Sequence, residues 1–320
     1  MGLLNSRLTF FPFEYQKAEE YWLKQQQNYW LHTSINLSSD VTDWKSNLTE
    51  SEKSVIGGVL KGFTTMEILV GCYWTNVVAK NFKKPEIQMM ASAFSSFEGI
   101  HARSYSLLNE TLGLNDFDAF LYEPSAKARI DSLIEVKGKS RKDIARSLAI
   151  FSAFTEGVTL FSSFAILLNF SRFNKLKGVG QIIAYSIKDE SLHAEAGTWL
   201  FRQFVEEYPE VMTDDLKKDI YDAARLTVQL EDDFIDKVFE KGDIEGITVK
   251  DLKAFIRFRT NTKLVDLGLK QNWKNIDKEA VSNITSWFDV LSSGITKQDF
   301  FAGKEVNYSH NTVDWSKTFE

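Results

Sequence analysis

Two of the four histidines in this 320-residue chain follow a glutamate by three positions, in Glu98-Gly-Ile-His101 and Glu190-Ser-Leu-His193. Each pair lies inside a long stretch of helical apolar period, and on an α-helix residues i and i+3 project to the same side. Each helix therefore offers one carboxylate and one imidazole to a common point, and two such helices side by side can hold two metal ions. One pair alone carries little weight, because acids make up 44 of the 320 residues. Its repetition in half of the histidines carries the signal.

Helix bundles with a carboxylate-bridged metal pair add one Glu from each of two further helices. Glu156 is the lone acid in the apolar run from Leu148 to Phe170, and Glu67 sits in Thr65-Met-Glu67-Ile-Leu-Val. A carboxylate in such a setting is costly unless a cation accompanies it. The candidate ligand set is Glu67, Glu98, His101, Glu156, Glu190 and His193. Four carboxylates offset two divalent cations, and neutral imidazoles complete the shell. Oxygen and nitrogen donors suit Mn and Fe, and argue against a thiolate zinc site. Tyr105 lies four residues after His101 on the same stripe. Elsewhere it would be a packing residue with a hydrogen-bond partner, but beside a redox metal pair a phenol is an oxidisable group.

Long helices must position these groups. Thr49-Glu-Ser-Glu52 has capping-box spacing and opens a helix to about Asn81; Pro85 opens another to about Leu112, before Gly113. Ser140 with Asp143 opens a helix to about Phe173. Gly178 and Gly180 precede one that runs to about Tyr208-Pro209, and amphipathic stretches cover roughly 213–240, 249–270 and 277–292. Helices of about thirty residues are some 45 Å long, the scale of a large bundle. No period-2 strand runs stand out.

With 43% hydrophobic residues, 4 Pro and 17 Gly, the chain can build one large helical core with few interruptions. A net charge of −6 gives no reason to expect nucleic acid or an anionic membrane as partner. The single Cys, Cys72, excludes an intrachain disulfide and fits a reducing compartment, so a soluble cytoplasmic protein is expected, with no secretory signal at its start. The segment from Leu148 to Phe170 could span a bilayer by length, but Glu156 in its middle favours a buried helix of a soluble bundle.

Ser95-Ser-Phe-Glu-Gly-Ile-His-Ala-Arg-Ser-Tyr105 and Ile187-Lys-Asp-Glu-Ser-Leu-His193 resemble the small (β), radical-generating subunit of class I ribonucleotide reductase. The resemblance extends to the spacing of Glu67, Glu98 and Glu156, to Asn28-Tyr-Trp30 and to an aromatic tail. It implies an all-α, ferritin-like long helix bundle with a buried dinuclear metal site over residues 1–298, and a flexible tail over 299–320. In that family the activated metal pair yields a one-electron hole, kept on the tyrosine matching Tyr105 or on the metals. The hole passes to a cysteine of the large (α) subunit, which reduces ribonucleotides to deoxyribonucleotides. The resemblance further implies a chain of Trp30, Asp189 and the ligand His101 as exit route, Tyr308 as relay between subunits, and Trp315 and Phe319 as anchors of a tail that docks on the large subunit. A homodimer is expected.

Two departures bear on the metal. Many di-iron members carry Asp where this chain has Glu67, and Ser186, one turn before Glu190, adds a polar group to a Tyr105 pocket that Leu160 and Phe164 should also face. These features look closest to the dimanganese subclass, so two Mn are favoured over Fe/Fe or Mn/Fe, with superoxide a plausible oxidant. Two other readings share the ligands. A dimetal oxidase or hydroxylase would need an apolar substrate channel and no aromatic tail, and a metal-storage cage is usually built from shorter chains.

Overall fold

The computed structural model describes residues 2–114 and 140–302, together with residues 124, 127, 128 and 131. Among them there is no strand, only one isolated bridge between Ile244 and Ile247. The helices are α1 (Gln16–Gln27), α2 (Ser38–Thr42), α3 (Glu50–Tyr73), α4 (Ala79–Asn81), α5 (Pro85–Leu112), α6 (Arg141–Ile150), α7 (Phe161–Arg172), α8 (Lys177–Glu207), α9 (Asp214–Val238), α10 (Val249–Asp266) and α11 (Lys278–Ala302). The result is the ferritin-like long helix bundle that the sequence led us to expect.

Helix starts follow local chemistry. Thr49 and Glu52 exchange side-chain and backbone hydrogen bonds at the head of α3, and Ser140 with Asp143 does the same for α6. Helix α5 begins on Pro85 and ends at Gly113, whose φ of +72° is the left-handed conformation that favours glycine. Helix α8 departs from expectation, because Gly178 and Gly180 lie inside it rather than before it. Its free N–H groups are capped from a distant segment: Asp40 accepts from Gly178 N at 3.0 Å and Val179 N at 2.8 Å, and Asp43 accepts from Leu176 N at 2.8 Å. A Cβ on Gly178 would stand 2.6 Å from Leu37 Cδ2, so glycine permits the approach.

Two long rods are not uniform. Residues 50–81 form α3, a π-helical turn at Trp74–Val78 and α4, while residues 141–172 form α6, a nine-residue π-helical stretch at Phe151–Thr159 and α7. Such wide turns cluster at functional sites. Both rods are long and apolar enough to cross a membrane, but 94% of the apolar window in the second is buried inside the protein. It is a core helix, lined by Phe154, Phe161, Phe164 and Phe170. Helix α3 lies along α5, and α8 packs against the π stretch and α7.

The N-terminal helix α1 carried no capping signal in the sequence. Its buried stripe is Ala18, Tyr21 and Gln25, and it leads into Trp30.

Candidate metal centre

Glu67 from α3, Glu98 and His101 from α5, Glu156 from the π stretch and Glu190 and His193 from α8 converge in the core, each at most 1% exposed. They fall into two groups that share members: Glu67, Glu98, His101 and Glu190 in one, Glu98, Glu156, Glu190 and His193 in the other, with donor atoms within 4.8 Å of one another. The shared residues bind the groups together, for Glu98 stands 3.3 Å from His101 Nδ1 and 2.7 Å from His193 Nδ1. Glu190 likewise lies 2.9 Å from His101 Nδ1 and 3.8 Å from His193 Nδ1. Glu67 reaches only the first imidazole and Glu156 only the second, each at 4.0 Å.

The close approach of α3 to α5 depends on Gly71. A Cβ there would meet Glu98 Cβ at 3.1 Å, and the Gly71 carbonyl accepts a hydrogen bond from Ser95 Oγ at 3.0 Å.

The outer nitrogens of the imidazoles are tied back to the protein. His101 Nε2 lies 3.1 Å from Asp189 Oδ2, the same oxygen that accepts the Trp30 indole N–H at 2.8 Å. Gln25 donates to Asp189 Oδ1 at 2.9 Å, while its carbonyl oxygen faces His193 Nε2 at 3.0 Å. One buried network thus fixes both rings so that each Nδ1 points inward. Trp30 also stacks on His101, with ring centroids 5.8 Å apart.

The inner atoms have no such partners. Both oxygens of Glu67, Glu98 and Glu190, Oε2 of Glu156 and Nδ1 of both histidines are buried without a hydrogen bond. Burial, then repulsion from Glu98, pushes Glu67 well above the ordinary carboxylate range; burial and Glu190 do the same to Glu156. Burial and Glu98 push Glu190 up to about 8. Burial also works against the charged form of Glu98, yet the two imidazoles overcome it and hold that carboxyl down to about 2. Burial would lower both histidines, but the surrounding acids raise them: Asp189 and Glu190 foremost for His101, Glu98 for His193. A dry pocket of four acids demands positive charge, and orphaned oxygen and nitrogen donors of this number fit two divalent cations. Cys72 is exposed and belongs to neither group.

Tyr105 is fully buried, 6.5 Å from the His101 ring between centroids, and donates its hydroxyl to Ser186 Oγ at 2.7 Å. Phe63 packs on it at 4.6 Å, and Phe164 joins the pocket through Phe63 at 5.4 Å. Burial, followed by the charge of Glu67, raises the phenol well above its usual range.

Two further residues join the site that the Glu-x-x-His spacing does not nominate. Gln25 was detectable as a lone amide on the apolar stripe of α1. Trp74, seven residues after Glu67 and so on the same face of its rod, donates its indole N–H to Glu156 Oε1 at 2.8 Å. Tyr308, Trp315 and Phe319 lie outside the described residues.

Comparison with known proteins agrees with this architecture. Residues 7–280 match the family described as ribonucleotide reductase, small chain. The chain is 33% identical to a probable ribonucleoside-diphosphate reductase small subunit of Invertebrate iridescent virus 3, over 98% of this chain and 88% of that one. It is 30% identical to the corresponding probable small subunit of Invertebrate iridescent virus 6, over 99% and 98%. Among solved structures, the dimanganese(II) NrdF of Streptococcus sanguinis superposes with a TM-score of 0.75 at 24% identity, covering 88% of this chain and all of that one.

Proposed function

Since the chain belongs to the ribonucleotide reductase small-chain family, we propose that Glu67, Glu98, His101, Glu156, Glu190 and His193 hold the dinuclear metal centre with which it serves a ribonucleoside-diphosphate reductase. Small subunits of this family act with a large subunit and pair as homodimers. Family membership also sets aside the oxidase, hydroxylase and storage readings. The observation that carries the ligand assignment is the set of inward, fully buried carboxylate and imidazole atoms without hydrogen bonds, in two groups bridged by Glu98 and Glu190.

When bound and activated by an oxygen species such as superoxide, the metal pair supplies the one-electron oxidising equivalent. The chain's own residues hold, insulate and release it. The apolar walls exclude water, and the network through Asp189 and Gln25 keeps both imidazoles in one tautomer, with Nδ1 turned to the metals. Asp189 Oδ2 joins the Trp30 indole to His101, so Trp30 has a carboxylate oxygen at 2.8 Å that would take its proton as its electron passes inward and the hole moves outward.

Two features favour the metals over Tyr105 as the resting place of the hole, and manganese over iron. Glu67 stands where many di-iron relatives have Asp, and the phenol proton is engaged by a serine hydroxyl, a poor base. From Trp30 the hole would travel by Tyr308 to the large subunit, on which Trp315 and Phe319 would anchor the tail; the work would take place in the cytoplasm.

Metal analysis with electron paramagnetic resonance after exposure to oxygen or superoxide tests the assignment. Two manganese ions per chain and an exchange-coupled manganese signal are expected. A tyrosyl doublet arising on a di-iron form would overturn the manganese reading.

A further inference from the structure

Glu156 differs from the other three acids of the cluster, because one of its oxygens is already engaged. Glu67, Glu98 and Glu190 keep both oxygens free of hydrogen bonds, whereas Glu156 Oε1 accepts the Trp74 indole N–H at 2.8 Å and only Oε2 is unpaired. The indole cannot swing away. It is fully buried and wedged edge-on against Phe94 at 4.8 Å, Phe151 at 5.6 Å and the His193 ring at 6.0 Å.

The backbone beside Glu156 is held as well. Arg259 of α10 donates through Nε at 3.1 Å and Nη2 at 3.0 Å to the carbonyl of Gly157, and its guanidinium carbon stands 3.3 Å from the centroid of the Phe161 ring. Lys263, one turn on, lies so close that a Cβ on Gly157 would be 2.9 Å from its Cδ and Cε. Among the described residues no carboxylate lies within ion-pair distance of Arg259. A partly buried cation directed at a carbonyl instead of an acid is costly, and the carbonyl it grips belongs to the wide turn that carries Glu156.

We propose that Trp74 and Arg259 are positioning residues that clamp Glu156. Trp74 engages Oε1, so Glu156 presents its unpaired Oε2 toward the His193 side and is steered to bind through that oxygen. Arg259 fixes the π-helical stretch, and thereby how far the carboxylate reaches. A carboxylate that binds through one oxygen would take up fewer positions on a metal ion at that side and leave room for an exogenous ligand. The proposal rests on the reading of Glu156 as a metal ligand, and adds to it the binding mode and the groups that enforce it.

The test uses the full-length protein titrated with Co2+, whose visible absorption weakens as its coordination number rises, together with Mn2+ binding isotherms. Trp74→Phe keeps a ring and removes the donor. Its expected effect is weaker cobalt absorption and an affinity altered about tenfold or more at one of the two sites, with the other unchanged. Arg259→Met should change the same site and speed amide hydrogen exchange in residues 151–159, and Arg259→Lys should recover both. Should Trp74→Phe not fold, the two Arg259 variants carry the test unaided. Wild-type spectra, isotherms and exchange in Trp74→Phe and Arg259→Met, alongside loss of the site in Glu156→Ala, would overturn the clamp alone. Two intact sites in Glu156→Ala would overturn the ligand assignment, and the clamp with it.

Discussion

The phenol of Tyr105 donates to Ser186 Oγ at 2.7 Å and to no carboxylate of the cluster. An oxidised phenol must shed its proton, and a serine hydroxyl surrounded by apolar walls is a poor place to leave it. The position of the phenol, close to the metals by way of His101, is therefore compatible with the site without making Tyr105 the store of oxidising power.

Tyr105→Phe should accordingly retain turnover when assayed with the matching large subunit. Complete loss of deoxyribonucleotide formation, with metal content unchanged, would show that the hole resides on the phenol. In Ser186→Ala the buried hydroxyl of Tyr105 loses its partner, and stability should fall by about 1–3 kcal/mol in denaturant unfolding.

Gln25 spans the two halves of the centre, since its amide bonds Asp189 and its carbonyl faces His193. Gln25→Leu would leave both without that partner while filling similar space. Metal affinity should drop by about 10- to 100-fold, as for loss of other groups that orient a ligand imidazole. Competition against a chelator measures it, and an unchanged dissociation constant would mean that the imidazole holds its place unaided.

Helix α8 touches the π stretch at Gly197, where an added Cβ would fall 2.6 Å from Ser152 Cβ. Ser152 is buried in the core and has no room to retreat. Gly197→Ala should cost about 1–3 kcal/mol from overpacking, read as a lower urea midpoint. Pairing it with Ser152→Gly should return part of the loss; a double variant no better than the single one would argue against this contact as the cause.

Glu52 gives a pH dependence of defined sign. Burial acts to raise its carboxyl, but the hydrogen bonds from Lys175 and from the backbone and hydroxyl of Thr49 prevail and hold it below its ordinary value of 4.5. A carboxyl lowered by folding stabilises the native state when ionised, so its contribution is complete above about pH 4.5 and vanishes as pH falls through the folded value. The gap in unfolding free energy between the wild type and Glu52→Gln should be about 1–2 kcal/mol at neutral pH and should close in acid. A gap that widened toward low pH would contradict this.

Deletion of residues 304–320 should abolish association with the large subunit and leave metal binding intact. Sedimentation of the mixed subunits and metal analysis of the truncated chain read the two effects separately. Undiminished association would move the docking surface onto the helical body.

Much of the centre was legible in the linear chain because helical spacing converts directly into geometry. Glu98 with His101 and Glu190 with His193 must share a helix face whatever surrounds them, and Glu156 stands out because an acid in an apolar run needs a counter-charge. The capping boxes at Thr49 and Ser140 and the stop at Gly113 are likewise local chemistry, readable without a fold. The start of α8 is not local in this way: its caps, Asp40 and Asp43, come from α2 and the turn after it.

Local spacing could not assign partners across helices. Whether Glu98 and Glu190 bridge the two groups, which nitrogen of each histidine faces inward, and which hydroxyl accepts the Tyr105 hydrogen bond depend on how α3, α5 and α8 pack. Gln25 and Trp74 acquire their roles from helices distant in sequence, and the π turns that place Trp74 and Glu156 arise in rods whose residue pattern is indistinguishable from ordinary helix. Composition and period determined the candidate ligands and the bundle; only the packing of one helix against another decided which of their donor atoms meet and what holds them, because hydrogen bonds between elements have no signature within either element.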